Sequence, residues 1–214
     1  MKSALFITTV CLIGLVSSAS AQLPSRVEAS PDIGLSLQVV FPGAGNYDLY
    51  DSGVSVEAQF RDWFNDPWGY ALAIGYGRWS TDRNAKRPGA GLTDFSGDLE
   101  IVPFGASALY RFHYDRDLSV VLDVGLRYII ADSKIKASYA PEGGTRRYPV
   151  KIDDSVLARF AVGVDYRITD ELIWSFNAGY YYDLDRGDLS TEIGKARENI
   201  MESFYVETGL RLPL

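Results

Sequence analysis

"LSVVLDVGLRYII" (118–130) decides the fold. Leu118, Val120, Leu122, Val124, Leu126, Tyr128 and Ile130 alternate with Ser119, Val121, Asp123, Gly125, Arg127 and Ile129. A period of two belongs to a β-strand, whose successive side chains point to opposite faces. One row here is wholly apolar. The other mixes small, apolar and charged residues, with Asp123 and Arg127 among them.

The pattern recurs on both sides of this stretch. Ile33 to Phe41 carry apolar residues at odd positions, and Val54 to Phe60 and Tyr70 to Tyr76 at even ones. Val102 to Phe112, Val156 to Ile168, Leu172 to Leu184 and Phe204 to Leu214 repeat the even pattern, interrupted only by Thr208. These are eight strands, the even number of a closed antiparallel barrel. Their connections alternate in length. Segments 42–52, 80–97, 132–155 and 185–200 are long, and 65–69, 113–117 and 169–171 are short. Membrane barrels pair short periplasmic turns with longer extracellular loops, so both chain ends are expected in the periplasm. Leu99 and Ile101 break the parity, being apolar at odd positions just before Val102. A β-bulge near Ile101 is the expected cause, and Pro103 is tolerable beside one.

Alternation does not say which row faces out. The bore of an eight-stranded barrel is just wide enough for side chains to fill. It has no room for the Tyr, Phe, Trp and Leu of the apolar rows. The other rows suit it better, being rich in Gly, Ala and Ser. Their cations are Arg61, Arg111, Arg127, Arg159, Arg167 and Arg211, with no Lys. Their acids are Glu57, Asp123, Asp165, Asp183 and Glu207. Arg forms forked, buried ion pairs, whereas Lys suits water-facing strands. The fold is therefore expected to be all-β: an eight-stranded antiparallel up-and-down transmembrane β-barrel. Phe60, Tyr70, Phe112, Tyr166 and Trp174 at one end, and Tyr76, Tyr128 and Tyr182 at the other, fit two interfacial girdles.

The ends of the chain add an address. Lys2, the apolar run Ala4–Val16 and Ala19-Ser20-Ala21 read as a signal peptide (1–21) cut before Gln22. A short periplasmic leader (22–31) and a barrel domain (32–214) follow. The one Cys, Cys11, falls inside the signal peptide, so disulfides and a lipid anchor are not expected. The net charge of −7 argues against nucleic acid as a partner.

The chain resembles the small outer-membrane β-barrel family typified by the membrane domain of OmpA and by OmpX and OmpW. The likeness covers about residues 32–214 and rests on the strand pattern and on "IVPFGASALYRF" (101–112) and "FYVETGLRLPL" (204–214). It implies residence in a bacterial outer membrane among lipid and lipopolysaccharide. It also implies delivery by the barrel assembly machinery, which reads the alternating last strand. That strand usually ends in Phe, and here it ends in Leu214.

The polar interior residues Glu57, Arg61, Arg111, Asp123, Arg127, Arg159, Asp165, Arg167, Glu207 and Arg211 are expected to form a charge-paired network that fills the barrel. Its bland role is to pin the register; its functional role is a gated path for small solutes. Catalysis has one candidate, His113, in a charged turn at the end opposite to where lipid A enzymes act. No catalytic residue, cofactor or metal is assigned. Asp183, Asp185 and Asp188 lack the spacing of a calcium loop. Arg186-Gly187-Asp188 is only a three-residue adhesion motif. Loop cations Arg83, Lys86, Arg87, Arg146, Arg147 and Lys151, with Lys134 and Lys136, are candidates for lipopolysaccharide phosphates. The reading is a non-enzymatic outer-membrane protein with a structural or surface-interaction role. A narrow pore or carrier is the first alternative, a loop-mediated adhesin the second, and a lipid A-modifying enzyme the last.

Overall fold

A computed structural model describes residues 30–42, 50–81, 92–139, 146–185, 188–191, 194–197 and 201–214. The strands are β1 (Asp32–Pro42), β2 (Tyr50–Trp63), β3 (Trp68–Thr81), β4 (Leu92–Ser96), β5 (Asp98–His113), β6 (Leu118–Ser133) and β7 (Ile135–Tyr139). They continue with β8 (Arg146–Ile152), β9 (Ser155–Thr169), β10 (Leu172–Asp183), β11 (Asp188–Thr191), β12 (Gly194–Arg197) and β13 (Ser203–Pro213). Eight of them close into a barrel in the order β1-β13-β10-β9-β6-β5-β3-β2. Closure is antiparallel, from Asp32 opposite Pro213 to Pro42 opposite Ser203. The all-β transmembrane-type barrel expected from the alternation is what the chain forms. The expected signal peptide and most of the leader lie outside the described residues.

The apolar rows face outward. Leu35, Val56, Ile74, Leu126, Val162 and Leu210 are all exposed. Their neighbours Ser36, Glu57, Ala73, Arg127, Ala161 and Arg211 are buried. Aromatics pair near both ends of the barrel wall, as with Trp68 and Tyr110 at 4.6 Å, and Phe104 and Tyr128 at 5.3 Å.

Two expectations need correction. No bulge occurs near Ile101: β5 pairs β6 in unbroken register from Leu99–Ser133 to His113–Ser119. The side chains of Leu99 and Ile101 instead point inward and are buried. The connections 80–97, 132–155 and 185–200 are not simply loops either. They contain β4, β7, β8, β11 and β12, which form a second sheet in the order β12-β11-β8-β7-β4.

One physical cause explains both corrections. Along the barrel wall the outward face is apolar and the inward face polar. Beyond Tyr76, Val102 and Ile130 this inverts. Arg78, Asp98, Glu100, Asp132 and Lys134 now take the outward positions, with Arg78 meeting Asp98 at 2.5 Å and Lys134 meeting Glu100 at 2.6 Å. Trp79, Leu99, Ile101, Ile129 and Ile135 turn inward into an apolar core. A β-structure leaving lipid for water must reverse which face is apolar. The parity change is that boundary. Gly97 sits at the corner with φ +123°, where a Cβ would run into the carbonyl of Lys134.

Candidate functional site

The barrel interior is stacked in zones. Nearest the short turns, Arg211 donates to Asp32 at 2.6 Å and to Gln59 at 2.9 Å. Arg61 donates to Gln59 at 2.8 Å and to Asp165 at 3.0 Å. Higher up, Arg127 donates to Glu57 at 3.3 Å and to Ser107 at 3.2 Å. Arg159 donates to Asp123 at 3.0 Å, Glu207 at 2.8 Å and the Tyr181 hydroxyl at 3.1 Å. It also lies 4.8 Å from the centre of the Tyr205 ring, which stacks on Tyr181 at 4.6 Å. Gly179 leaves the space for this, since a Cβ there would come within 2.5 Å of the Tyr205 hydroxyl.

Burial sets the energetics. Arg61, Arg127, Arg159 and Arg211 are among the largest fully buried side chains. A buried guanidinium without a partner costs several kcal/mol, about the cost of breaking such a pair. Each of these four has at least one carboxylate. Neutral residues join the charges: Gln38 accepts from Ser55 at 3.1 Å and donates to Tyr181 at 3.1 Å.

The structure thus brings Glu57, Arg61, Asp123, Arg127, Arg159, Asp165, Glu207 and Arg211 into linked groups. Arg111 stands apart near the mouth, 4.0 Å over the Trp63 ring and 3.7 Å from Asp66. Arg167 is half-buried, and its backbone N–H donates to Asp117 at 2.8 Å. Asp32, Gln38, Gln59, Ser107 and Tyr181 were not among the expected network residues. Their positions in the inward rows were the available signal, except for Asp32, which precedes the apolar run. Asp183 caps the series, accepting from Ser155 at 2.8 Å.

The two ends differ. Over the sheet end, the apolar core of Val40, Trp79, Leu99, Ile101, Ile129 and Leu157 covers the charged interior, joined by Ile135, Val150 and Ile152 from the second sheet. At the turn end His113 bridges two strand connections. Its Nε2 meets Asp66 at 2.9 Å, and its Nδ1 meets Ser119 at 2.9 Å. A hydrolytic triad puts its carboxylate on Nδ1 and its serine on Nε2, the reverse of this arrangement.

Of the loop cations, Arg83, Lys86 and Arg87 lie outside the described residues, as do Arg186 and Gly187 of the adhesion tripeptide. Arg146 begins β8. Arg147 and Lys151 are exposed on the second sheet. Outside the membrane wall, the hydrogen bond from Arg78 holds the Asp98 carboxyl below the usual carboxylate range. Lys134 does the same for Glu100. Among the described residues, no group of three His, Cys, Asp or Glu side chains is arranged to hold a metal.

A family model described as the outer membrane protein beta-barrel domain matches residues 8–201. The outer membrane protein OprG from Pseudomonas aeruginosa is 14% identical, with 86% of this chain and 93% of that one covered, at a TM-score of 0.54. A major outer membrane protein from Thermus thermophilus is 15% identical, with 86% and 100% covered, at a TM-score of 0.50. Neisserial surface protein A is 19% identical, with 86% and 96% covered, at a TM-score of 0.49. At these identities the likeness is one of fold. No curated protein matches the sequence.

Proposed function

Because this chain belongs to the outer membrane protein β-barrel family, we propose that it is a non-enzymatic anchor. Its barrel holds the second sheet above the outer leaflet as a structural and interaction surface. Export by the signal peptide (1–21) and delivery by the barrel assembly machinery, reading Leu210, Leu212 and Leu214, belong to the same reading. N-terminal sequencing that starts at Gln22 checks the first of these.

The observation that carries the proposal is the apolar core over the charged interior. An axial path would have to separate Arg159 from Asp123 and Glu207. It would then have to cross Leu99, Ile101, Ile129 and Leu157, all buried against one another. Both steps are costly: the first strands a buried charge, and the second drives polar solute through packed hydrocarbon. This favours an anchor over a narrow pore.

Planar bilayer recording of the folded protein tests the choice. No current steps above the bare bilayer are expected. Steady conductance from a heat-modifiable preparation would replace the anchor with the pore. Lipid A recovered after overexpression is expected to be unmodified; an altered acyl pattern would return the enzyme reading.

A further inference from the structure

The lipid-facing wall is not evenly filled. A groove of about 620 Å³ opens across it, from β1 over β13, β10 and β9 to β6. Two cross-strand rows make it. Phe41, Phe204, Tyr180, Phe160 and Val124 are successive partners in register and form its upper side. Val206, Ala178, Val162 and Leu122 form the next outward row toward the short turns. Ala178 is the low point of that row. The outward residues around it on β10 are all aromatic: Trp174, Phe176, Tyr180 and Tyr182.

An alanine beneath a row of rings leaves dispersion contacts unmade, and something apolar must supply them. The groove is continuous with the wall that faces lipid, so hydrocarbon is what reaches it. Its volume falls within the ~300–1,000 Å³ of small-molecule sites. The Tyr180 hydroxyl on its aromatic side already donates to Glu202, next to the start of β13. That leaves the groove apolar. A chain seated in it touches protein beneath and beside, whereas the convex wall offers contact on one side only.

The slope of the groove selects the chain. Phe41 and Phe204, at its upper end, are the loop-side ends of the apolar rows of β1 and β13. Val124, at its lower end, is six residues from Leu118 and six from Ile130, the two ends of the apolar row of β6. The groove therefore runs from the loop-side lipid boundary to the middle of the wall. Four strand-to-strand steps of about 4.8 Å make about 19 Å, and with strands tilted about 40° the descent is about 12 Å. One leaflet has about 15 Å of a ~30 Å hydrocarbon core. We propose that the groove is a site for one acyl chain of a lipid in the loop-side leaflet, entering at Phe41 and Phe204 and ending against Leu122 and Val124. The inference goes beyond the anchor reading and needs only the lipid-facing wall.

The test uses the full mature chain folded into phosphatidylcholine vesicles and checked by heat-modifiable gel mobility. The probe is a phosphatidylcholine with a photoactivatable diazirine on one acyl chain, placed near the carbonyl or near the terminal methyl. Peptide mass spectrometry after irradiation locates the adducts. Tyr76 and Leu72, exposed on the opposite side of the wall, serve as controls at the boundary and at mid-depth. The near-carbonyl probe is expected to mark Phe41 and Phe204 about fivefold above Tyr76, and the terminal probe to mark Leu122 and Val124 about fivefold above Leu72. Ala178→Phe, which fills the floor, is expected to bring both down to the control level. Equal labelling around the parent barrel overturns the inference. So does an excess that persists in folded Ala178→Phe, or one in which the two probes exchange ends. Cross-links between barrels at Phe160 or Phe204, in place of lipid adducts, would show that a second copy covers the groove. If Ala178→Phe fails to fold, Phe160→Ala and Phe204→Ala, which remove the upper side, carry the test with the same loss of excess.

Discussion

Arg159 and Glu207 meet at 2.8 Å in the barrel interior, with side-chain exposures of 0% and 1%. Removing the carboxylate would leave the guanidinium with Asp123 but without its shorter partner. Glu207→Leu is expected to destabilise the barrel by about 3 kcal/mol, because the buried guanidinium loses its shortest charged hydrogen bond and keeps only part of its compensation, from Asp123. Arg159→Met together with Asp123→Leu and Glu207→Leu should recover most of that loss. Urea unfolding in lipid vesicles, followed by gel mobility, reads both. A single variant as stable as the parent would show that the network does not hold the fold.

The inversion of apolar faces gives a second expectation. Leu126 lies on the outward wall and is 54% exposed. Leu126→Arg is expected to cost about 2–4 kcal/mol, the cost of a charge facing mid-membrane lipid. Ser80→Arg, outward but above the boundary, should stay within about 0.5 kcal/mol. Leu99→Ala should cost about 2–4 kcal/mol by opening the apolar core. Faster hydrogen exchange in β4, β7 and β8, with β9 and β10 unchanged, would locate that loss in the second sheet.

His113 is the chain's only histidine. Its bonds to Asp66 and Ser119 fasten the β2–β3 turn to the β5–β6 hairpin. Asp66→Ala is expected to cost about 1 kcal/mol, the size of a hydrogen bond to a partly exposed group. A fluorophosphonate probe should leave Ser119 unlabelled, because the carboxylate sits on Nε2 rather than Nδ1. Stoichiometric labelling at Ser119 would contradict the non-enzymatic reading.

The polar belt above the lipid boundary sets a pH response. Asp98 and Glu100 are held below the usual carboxylate range by Arg78 and Lys134. A lowered folded pKa means stability that is present above the unfolded value and lost as pH falls through the folded one. Protection factors at the β5–β6 end, taken against the intrinsic exchange rate at each pH, should therefore be high at neutral pH and fall below about pH 4. These pairs are exposed, so salt should blunt the effect. Asp98→Asn is expected to flatten it; an unchanged pH profile in that variant would exclude the pair as its source.

The barrel was legible because lipid imposes its period directly on the chain. In "LSVVLDVGLRYII" the outward row has one solvent and the inward row another, so composition alone separates the faces. The Arg-for-Lys bias of the inward rows marked the network residues in the same way. Their pairing was not legible. Arg159 and Glu207 are 48 residues apart, and nothing local says that they meet.

Leu99 and Ile101 show where one-dimensional reading gives out. Their odd parity is visible, and a bulge accounts for it as well as a change of solvent does. The unbroken β5–β6 register decides for the solvent. The strands β7 and β8 were hidden for a related reason: Ile135, Ala137, Val150 and Ile152 form runs too short to stand out, and they bury themselves only by meeting a core supplied by other strands. The sequence by itself determined the eight-stranded barrel, its outward row and its charged filling, because each follows from alternation against a fixed solvent. Only the tertiary structure decided which charges pair and where the faces invert, because these depend on contacts between residues distant in the chain.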